Sequence, residues 1–278
     1  MMSKKIIVVI PARYGSSRFP GKPLATLAGK SMLKRVHDIA LKAIEGNNYA
    51  QVIVSTEDKR IKEHAEAFGA NVIMTSDDCE TGSDRALNAC TQLNDIPDIV
   101  INFQGDAPLT PPSFLQAIIQ TLMNNTDIDV ATPIIQMDWQ SLDTLRARKL
   151  INPFSGTTAI TDKHNNALWF SKNIIPAMRN EAKLRQTHKM SPVYKHVGLY
   201  GYQFKALQKF VRLPIGHYEA LEGLEQLRMI ESGMTIKTVN VSYADFPSMS
   251  GVDTKEDLAF ANTLIEKHGD PMDLWNKQ

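Results

Sequence analysis

The run Ile6-Ile7-Val8-Val9-Ile10, stopped by Pro11, constrains this chain more than any other stretch. A continuous apolar run without polar alternation must be covered on both faces, which predicts a buried parallel strand inside an α/β fold. The segment after it is basic and rich in turn residues. Arg13, Arg18 and Lys22 fix positive charge there, while Gly15 and Gly21 let the backbone approach a ligand closely and aim N–H groups at an anion. That combination predicts nucleotide binding.

The loop matches neither common phosphate fingerprint. A Walker A loop requires four residues between its glycines and a hydroxyl after the lysine, whereas here Gly15 and Gly21 bracket five residues and Pro23 follows Lys22. The dinucleotide G-x-G-x-x-G pattern is absent as well. Ligand and chemistry must therefore be read from the rest of the chain.

Apolar runs alternate with helical patterns through the first half. Met32, Leu33, Val36, Ile39, Ala40 and Ala43 recur near the helical period. Residues 51–55 then read as a strand, 59–68 as a helix closed by Gly69, 71–74 as a strand, 84–93 as a helix and 98–103 as another buried strand. This βαβ series predicts an α/β protein with a mostly parallel sheet and helices on both faces. With 278 residues, a single domain over 1–278 is expected. Its middle, about 152–194, is less regular, with a hairpin expected at 162–166, and is read as a protruding lid or dimerisation element. After it come a strand at 195–202, a helix at 219–232 closed by Gly233, a strand at 235–241 and a last helix from Thr254.

In such sheets ligands bind beyond the carboxyl ends of the strands. Three polar loops fall there: the basic loop after Ile10, Glu80-Thr81-Gly82-Ser83-Asp84-Arg85, and Gln104-Gly105-Asp106-Ala107-Pro108. Any anion site has to be local, because a formal net charge of +1 is no footprint for a nucleic acid or a polybasic membrane contact. The first apolar run is too short for a signal peptide or a membrane span. Cys79 and Cys90 lack metal spacing and make no disulfide framework, so a reducing, cytoplasmic setting is expected.

Asp106 sits in a turn, and Asp253 precedes Thr254 and Asp257, which resemble a capping box, so either acid could be purely structural. Together they make sense as a pair sharing one Mg²⁺, which takes one or two carboxylates and completes its shell with phosphate and water. On the helix at 219–232, Leu221, Leu224 and Leu227 form a core stripe, and Glu219, Glu222, Glu225, Gln226 and Arg228 lie around it. His196 and Tyr200 share a strand face by period two and offer a polar wall for a sugar. His37, His64 and His217 show no partner pattern and are read as structural.

These pieces, in this order, resemble the CMP-Kdo synthetases, the 3-deoxy-manno-octulosonate cytidylyltransferases of the nucleotide-diphospho-sugar-transferase-like (Rossmann-like) superfamily. The resemblance covers nearly the whole chain. Its motifs run from Pro11 to Leu24, Gly82 to Arg85, Gln104 to Pro108, His196 to Tyr202, Leu224 to Arg228 and Gly251 to Leu258. The resemblance implies that CTP and a 3-deoxy-ulosonic acid give a CMP-sugar and pyrophosphate for lipopolysaccharide or another surface glycan. It places CTP on Pro11, Ala12, Arg13, Gly15, Ser17, Lys22, Gly82, Arg85 and Gln104. It places the sugar on Lys172, His196, Tyr200, Glu225 and Gln226, magnesium on Asp106 and Asp253, and catalysis on Lys22 with those two aspartates. It also implies a homodimer.

The sugar side departs from the family pattern. Ala107 replaces the glutamate of Q-G-D-E-P, Lys172 stands where A-L-Y-F-S-R supplies an arginine, and Thr157 stands where N-P-N-x-V-K supplies a lysine. Ile215-Gly216-His217-Tyr218 replaces the usual S-P-L approach to the glutamate helix. An arginine-to-lysine change loses a bidentate fork for a carboxylate. The 8-amino analogue of Kdo, or another ulosonic or sialic-type acid, is therefore the alternative acceptor, although the basic loop follows the Kdo pattern and not the sialic one. A catalytically silent nucleotide-binding protein is the alternative from another class.

Overall fold

The computed structural model describes residues 4–16, 18–243, 246–247, 249 and 251–275. Its strands are β1 (Ile6–Pro11), β2 (Thr26–Leu27), β3 (Lys30–Ser31), β4 (Ala50–Thr56), β5 (Asn71–Met74), β6 (Ile99–Asn102), β7 (Val130–Asp138), β8 (Thr158–Thr161), β9 (Ala167–Ser171), β10 (Met190–His196), β11 (Tyr200–Gln203) and β12 (Ile236–Asn240). The helices are α1 (Met32–Ala43), α2 (Lys59–Ala67), α3 (Gly82–Thr91), α4 (Pro112–Asn124), α5 (Trp139–Ile151) and α6 (Glu181–Thr187). They continue with α7 (Phe204–Val211), α8 (His217–Glu222), α9 (Glu225–Glu231), α10 (Lys255–His268) and α11 (Pro271–Trp275).

β1 lies inside a ten-stranded sheet of order β5-β4-β1-β6-β11-β7-β10-β8-β9, with β12 beside β7. Its alternate residues enter two different cores. Ile6, Val8 and Ile10 join the cluster under α1 and α4, while Ile7 and Val9 join the one under α3, α7 and α9. Each buried side chain contributes roughly 1.5–3 kcal/mol, so the end of β1, from which the basic loop leaves, is firmly anchored. The strands β5, β4, β1 and β6 pair in parallel, as does β12 with β7. β10, β11, β8 and β9 join antiparallel and extend the sheet.

A third core brings the two ends of the chain's polar motifs together. Leu109 after β6, Leu27 in β2, Val252 and three residues of α10 pack as one cluster. The Val252 N–H donates to the carbonyl of Asp106 at 2.7 Å. That docking sets Asp253 beside Asp106 across the fold.

Three local expectations need correction. The helix expected at 219–232 is two helices, α8 and α9, because Gly223 turns left-handed at φ 63° and Leu224 becomes extended. The leucine stripe breaks with it: Leu224 and Leu227 are buried, but Leu221 is exposed. The strand expected at 195–202 is interrupted between β10 and β11, where Leu199 N–H turns back to the Val197 carbonyl at 2.7 Å. His196 and Tyr200 thus belong to different strands. Finally, the irregular stretch at 152–194 contains β8, β9 and most of β10, and its 162–166 turn, with Asn165 at φ 61°, closes the expected hairpin.

Candidate active site

Gly21 occupies the left-handed region at φ 70° and starts a single 3-10 turn, Lys22–Leu24. A Cβ there would meet the Tyr14 ring at 3.2 Å, and the Arg60 guanidinium lies over that ring 3.4 Å from its centre. The turn swings Lys22 inward. Its ammonium lies 3.1 Å from Asp106 Oδ2 and 3.3 Å from Asp253 Oδ1, and Arg18 reaches Asp253 Oδ1 at 3.2 Å. Two carboxylates from distant parts of the chain therefore converge on one cation.

A cavity of about 200 Å³ opens beside them. Pro11, Ala12, Arg13 and Lys22 line it from the first loop, Gly82 and Arg85 from α3, and Gln104, Asp106 and Asp253 from the later loops. These sequence-predicted nucleotide residues are brought together. Gly15 is not: it does not line the cavity, and the space around its α-carbon is open. Ser17 lies outside the described residues.

The α3 side is built rigidly. Thr81 and Asp84 form a full capping box at its N-terminus, a device worth about 1 kcal/mol. Arg85 is buried, with Thr75 Oγ1 at 2.6 Å and Glu57 Oε2 at 2.7 Å in an ion pair that is not an aligned hydrogen bond. Glu57 was missed in the sequence reading. Its signal was its place just beyond the strand at 51–55, the end of a parallel strand where ligand-facing groups collect. Gln104 Nε2 donates to Asn102 Oδ1 at 3.1 Å, and a Cβ at Gly82 would stand 2.9 Å from that nitrogen, so a larger residue there would displace the Gln104 amide. Cys79, Glu80 and Ser16 also line the cavity without having been singled out.

The expected sugar residues form a second, drier group. Thr132 Oγ1 donates to the Leu199 carbonyl at 2.9 Å and lies 2.8 Å from His196 Nε2. A hydroxyl has one proton; with it given to Leu199, Nε2 must carry the imidazole proton and Nδ1 is left as an acceptor. Burial, aided by the Lys172 charge, lowers the His196 pKa to about 3, so the ring is neutral. His196 and Tyr200 meet with ring centroids 5.5 Å apart despite sitting on different strands. Tyr200 OH donates to Gln226 Oε1 at 2.9 Å.

Glu225 accepts from Ser83 Oγ at 3.1 Å, and Asn102 Nδ2 donates to Ser83 at 3.4 Å. Burial raises the Glu225 pKa, against the pull of that Ser83 hydrogen bond and of Arg228. Lys172 donates to Thr157 Oγ1 at 3.2 Å, and its own N–H is held by Glu222, whose carboxylate also accepts from Ser171 Oγ at 3.0 and 3.1 Å. Burial lowers the Lys172 pKa, with Glu222 opposing.

The donor set suits magnesium. Asp106 and Asp253 are hard oxygen ligands, both partly exposed to the cavity, and they stand close enough to share one ammonium. Among the described residues no group of three or more His, Cys, Asp or Glu could hold a metal unaided. A cation on this pair would need further oxygens from a bound phosphate.

A cytidylyltransferase family model matches residues 7–236. A 3-deoxy-manno-octulosonate cytidylyltransferase of Maricaulis maris is 41% identical over 95% of this chain and 98% of its own. An 8-amino-3,8-dideoxy-manno-octulosonate cytidylyltransferase of Shewanella halifaxensis is 40% identical over 94% of this chain and 98% of its own. Among solved structures, a CMP:2-keto-3-deoxy-manno-octonic acid synthetase complexed with CTP superposes with a TM-score of 0.79 at 35% identity, covering 95% of this chain and 99% of that one.

Proposed function

The chain belongs to the cytidylyltransferase family, and from that premise we propose that it couples CTP to 3-deoxy-manno-octulosonate (Kdo), releasing pyrophosphate and the CMP-sugar. The observation that carries the reading is the convergence of Lys22, Asp106 and Asp253 at the mouth of the cavity lined by Arg13, Arg85 and Gln104. Phosphoryl-type transfer needs positioning and charge neutralisation more than a covalent nucleophile, and this cluster supplies both.

Arg13, Arg18 and Lys22 hold the triphosphate, so that Lys22 faces the departing pyrophosphate. Arg85, fixed by Thr75 and Glu57, and Gln104, fixed by Asn102, read the cytosine together with the Pro11 and Ala12 backbone. Asp106 and Asp253 would hold Mg²⁺, which when bound neutralises phosphate charge and lowers the pKa of a coordinated hydroxyl. His196, with Nδ1 free to accept, and the Tyr200–Gln226 pair orient the acceptor hydroxyls, and Glu225 and Lys172 complete that wall.

The 8-amino analogue is the second reading. It is favoured by Lys172 and Thr157, which replace the family's arginine and lysine, and by a relative of almost equal identity that is named for that sugar. Retention of both aspartates beside Lys22 argues against a silent nucleotide binder. The product serves lipopolysaccharide or another surface glycan, the enzyme works in the cytoplasm, and it does so as a homodimer joined through the region at about 152–194. No helix among the described residues is long and apolar enough to cross a membrane. Pyrophosphate release with CTP and Mg²⁺, compared between Kdo, its 8-amino analogue and a sialic-type acid, tests the reading. We expect turnover with one of the first two, and turnover with none overturns it.

A further inference from the structure

A second cavity, of about 180 Å³, shares Asp106 and Asp253 with the nucleotide cavity but none of Arg13, Arg18 or Lys22. Its single lysine or arginine among the described residues is Lys195. The register of β10 fixes the stem of that side chain, pairing Lys195 with Ile135 on β7 and with Thr158 on β8. The neighbouring wall residue, Ala107, brings no charge. Among the described residues, no carboxylate or other acceptor lies within hydrogen-bond distance of the Lys195 ammonium.

From this we propose that Lys195 is the ligand for the carboxylate of the acceptor sugar, which enters through this second cavity. The proposal rests on the cytidylyltransferase reading and names one contact within it. An in-line displacement at the α-phosphorus brings the nucleophile in from the side away from the leaving pyrophosphate. With the pyrophosphate held by the Lys22 loop, the acceptor has to arrive through space that lacks the loop and still touches the aspartate pair. An ulosonic acid carries its carboxylate on the same carbon as the attacking anomeric hydroxyl. A cation that grips this carboxylate has to face the cavity that Asp106 and Asp253 also line, and Lys195 is the lysine or arginine found there among the described residues.

The charges facing Lys195 are consistent with an incoming anion. Asp106 and Asp253 at the far end are already shared with Lys22, and Arg148 on α5 acts on it with the same sign. Burial, with that arginine's help, lowers the Lys195 pKa, and a bound carboxylate would restore the charged form. Of the residues assigned to the acceptor above, His196 also lines this cavity, from the opposite face of β10, and is the point at which the cavity meets that wall.

Steady-state kinetics with CTP and Kdo, or its 8-amino analogue, on the wild type, Lys195→Met and Lys195→Arg test this. Lys195→Met should raise the sugar KM about tenfold or more and leave the CTP KM within about twofold, while Lys195→Arg, which keeps the charge, stays close to the wild type. As a control, the C1 carboxamide of the sugar, a competitor without the charge, should inhibit wild type and Lys195→Met alike. An unchanged sugar KM in Lys195→Met overturns the proposal, and so does an equal rise in both KM values or an equal defect in Met and Arg variants. A wild-type chain that turns over no ulosonate overturns this proposal together with the reading beneath it, whereas an active wild type with an insensitive Lys195→Met overturns this one alone.

Discussion

The Lys22 ammonium lies 3.1 Å from Asp106 Oδ2 across 84 residues of chain, and the same nitrogen reaches Asp253. The two acids are partly exposed, with 34% and 45% of their side chains open, while Lys22 keeps only 13%. Ion pairs so open to solvent add little to stability. Asp106→Asn and Asp253→Asn should therefore leave the thermal midpoint almost unchanged, yet each should lower kcat by about two or more decades by removing a charge from a charge-stabilised transition state. Wild-type turnover in both variants would show that they are only turn and cap residues.

Gly251 tests how tightly that pair is held. A Cβ at this position would stand 2.9 Å from the Asp106 carbonyl oxygen, which also accepts from Val252 N–H at 2.7 Å. Gly251→Ala must push the two loops apart and separate the carboxylates. A loss of about tenfold or more in kcat is expected, with a larger requirement for Mg²⁺. Magnesium titrations of wild type and variant would show it, and overlapping curves would mean the loops yield without moving Asp106.

The proposed nucleotide half of the site was more legible in the sequence than the proposed sugar half, for a physical reason. Strand β1 and its loop are local in sequence: an apolar run, glycines and cations within one stretch, so Lys22 and Arg13 could be named from it, and Ala12 followed from the family resemblance of the same stretch. The sugar wall is assembled from distant pieces. Tyr200 and His196 seemed to meet by strand alternation, but they meet because Thr132 on β7 bridges the break between β10 and β11. The α8–α9 break followed from Gly223 inside a strong helical pattern, where a glycine is tolerated often enough that its left-handed turn is invisible until the fold is seen. Glu57 could be placed only at a strand end, since its pairing with Arg85 appears in the fold alone, and Lys195 lies inside a strand pattern where nothing marks it as facing a cavity.

An exposed apolar segment spans the C-terminal end of α5 and the turn after it. Leu150 and Ile151 are 89% and 90% open and Phe154 is 66% open, whereas Phe170 and Ala159, within the stretch first expected to be the interface, are fully buried in the chain's own core. Contiguous exposed apolar side chains of this size mark association surfaces. A homodimer is expected at micromolar concentration by light scattering, and Ile151→Asp with Phe154→Asp should shift it to monomer. A monomeric wild type would count against the interface.

The neutral His196 has a consequence for stability. Its folded pKa is lowered to about 3 by burial and by Lys172, whereas an unfolded histidine titrates near 6.5. Between these values the unfolded chain binds a proton that the folded chain does not, so stability should fall as pH drops from about 6.5 toward 3. His37, also lowered by burial, adds in the same direction. Thermal midpoints at pH 7.5 and 5 should drop in the wild type and drop less in His196→Gln. Equal drops would place the proton elsewhere.

Lys172 tests how far the proposed sugar pocket departs from the family pattern. Its ammonium donates to Thr157 Oγ1 at 3.2 Å, and its charge is felt at His196, whose pKa it helps to lower. Glu222 does not neutralise it by direct contact: that carboxylate is taken by the Ser171 hydroxyl and the Lys172 main-chain N–H. The ammonium is thus a point charge with one weak hydroxyl partner, free to meet an acceptor group. A guanidinium in its place would offer two parallel donors. Lys172→Arg should therefore change the sugar KM by an amount worth about 1–3 kcal/mol while leaving the CTP KM as it is, because the nucleotide cavity does not include this residue. Kinetics with Kdo and its 8-amino analogue give the sign for each acceptor. Identical values for both forms with both sugars would place Lys172 outside the pocket, with Thr157 as its structural partner and nothing more.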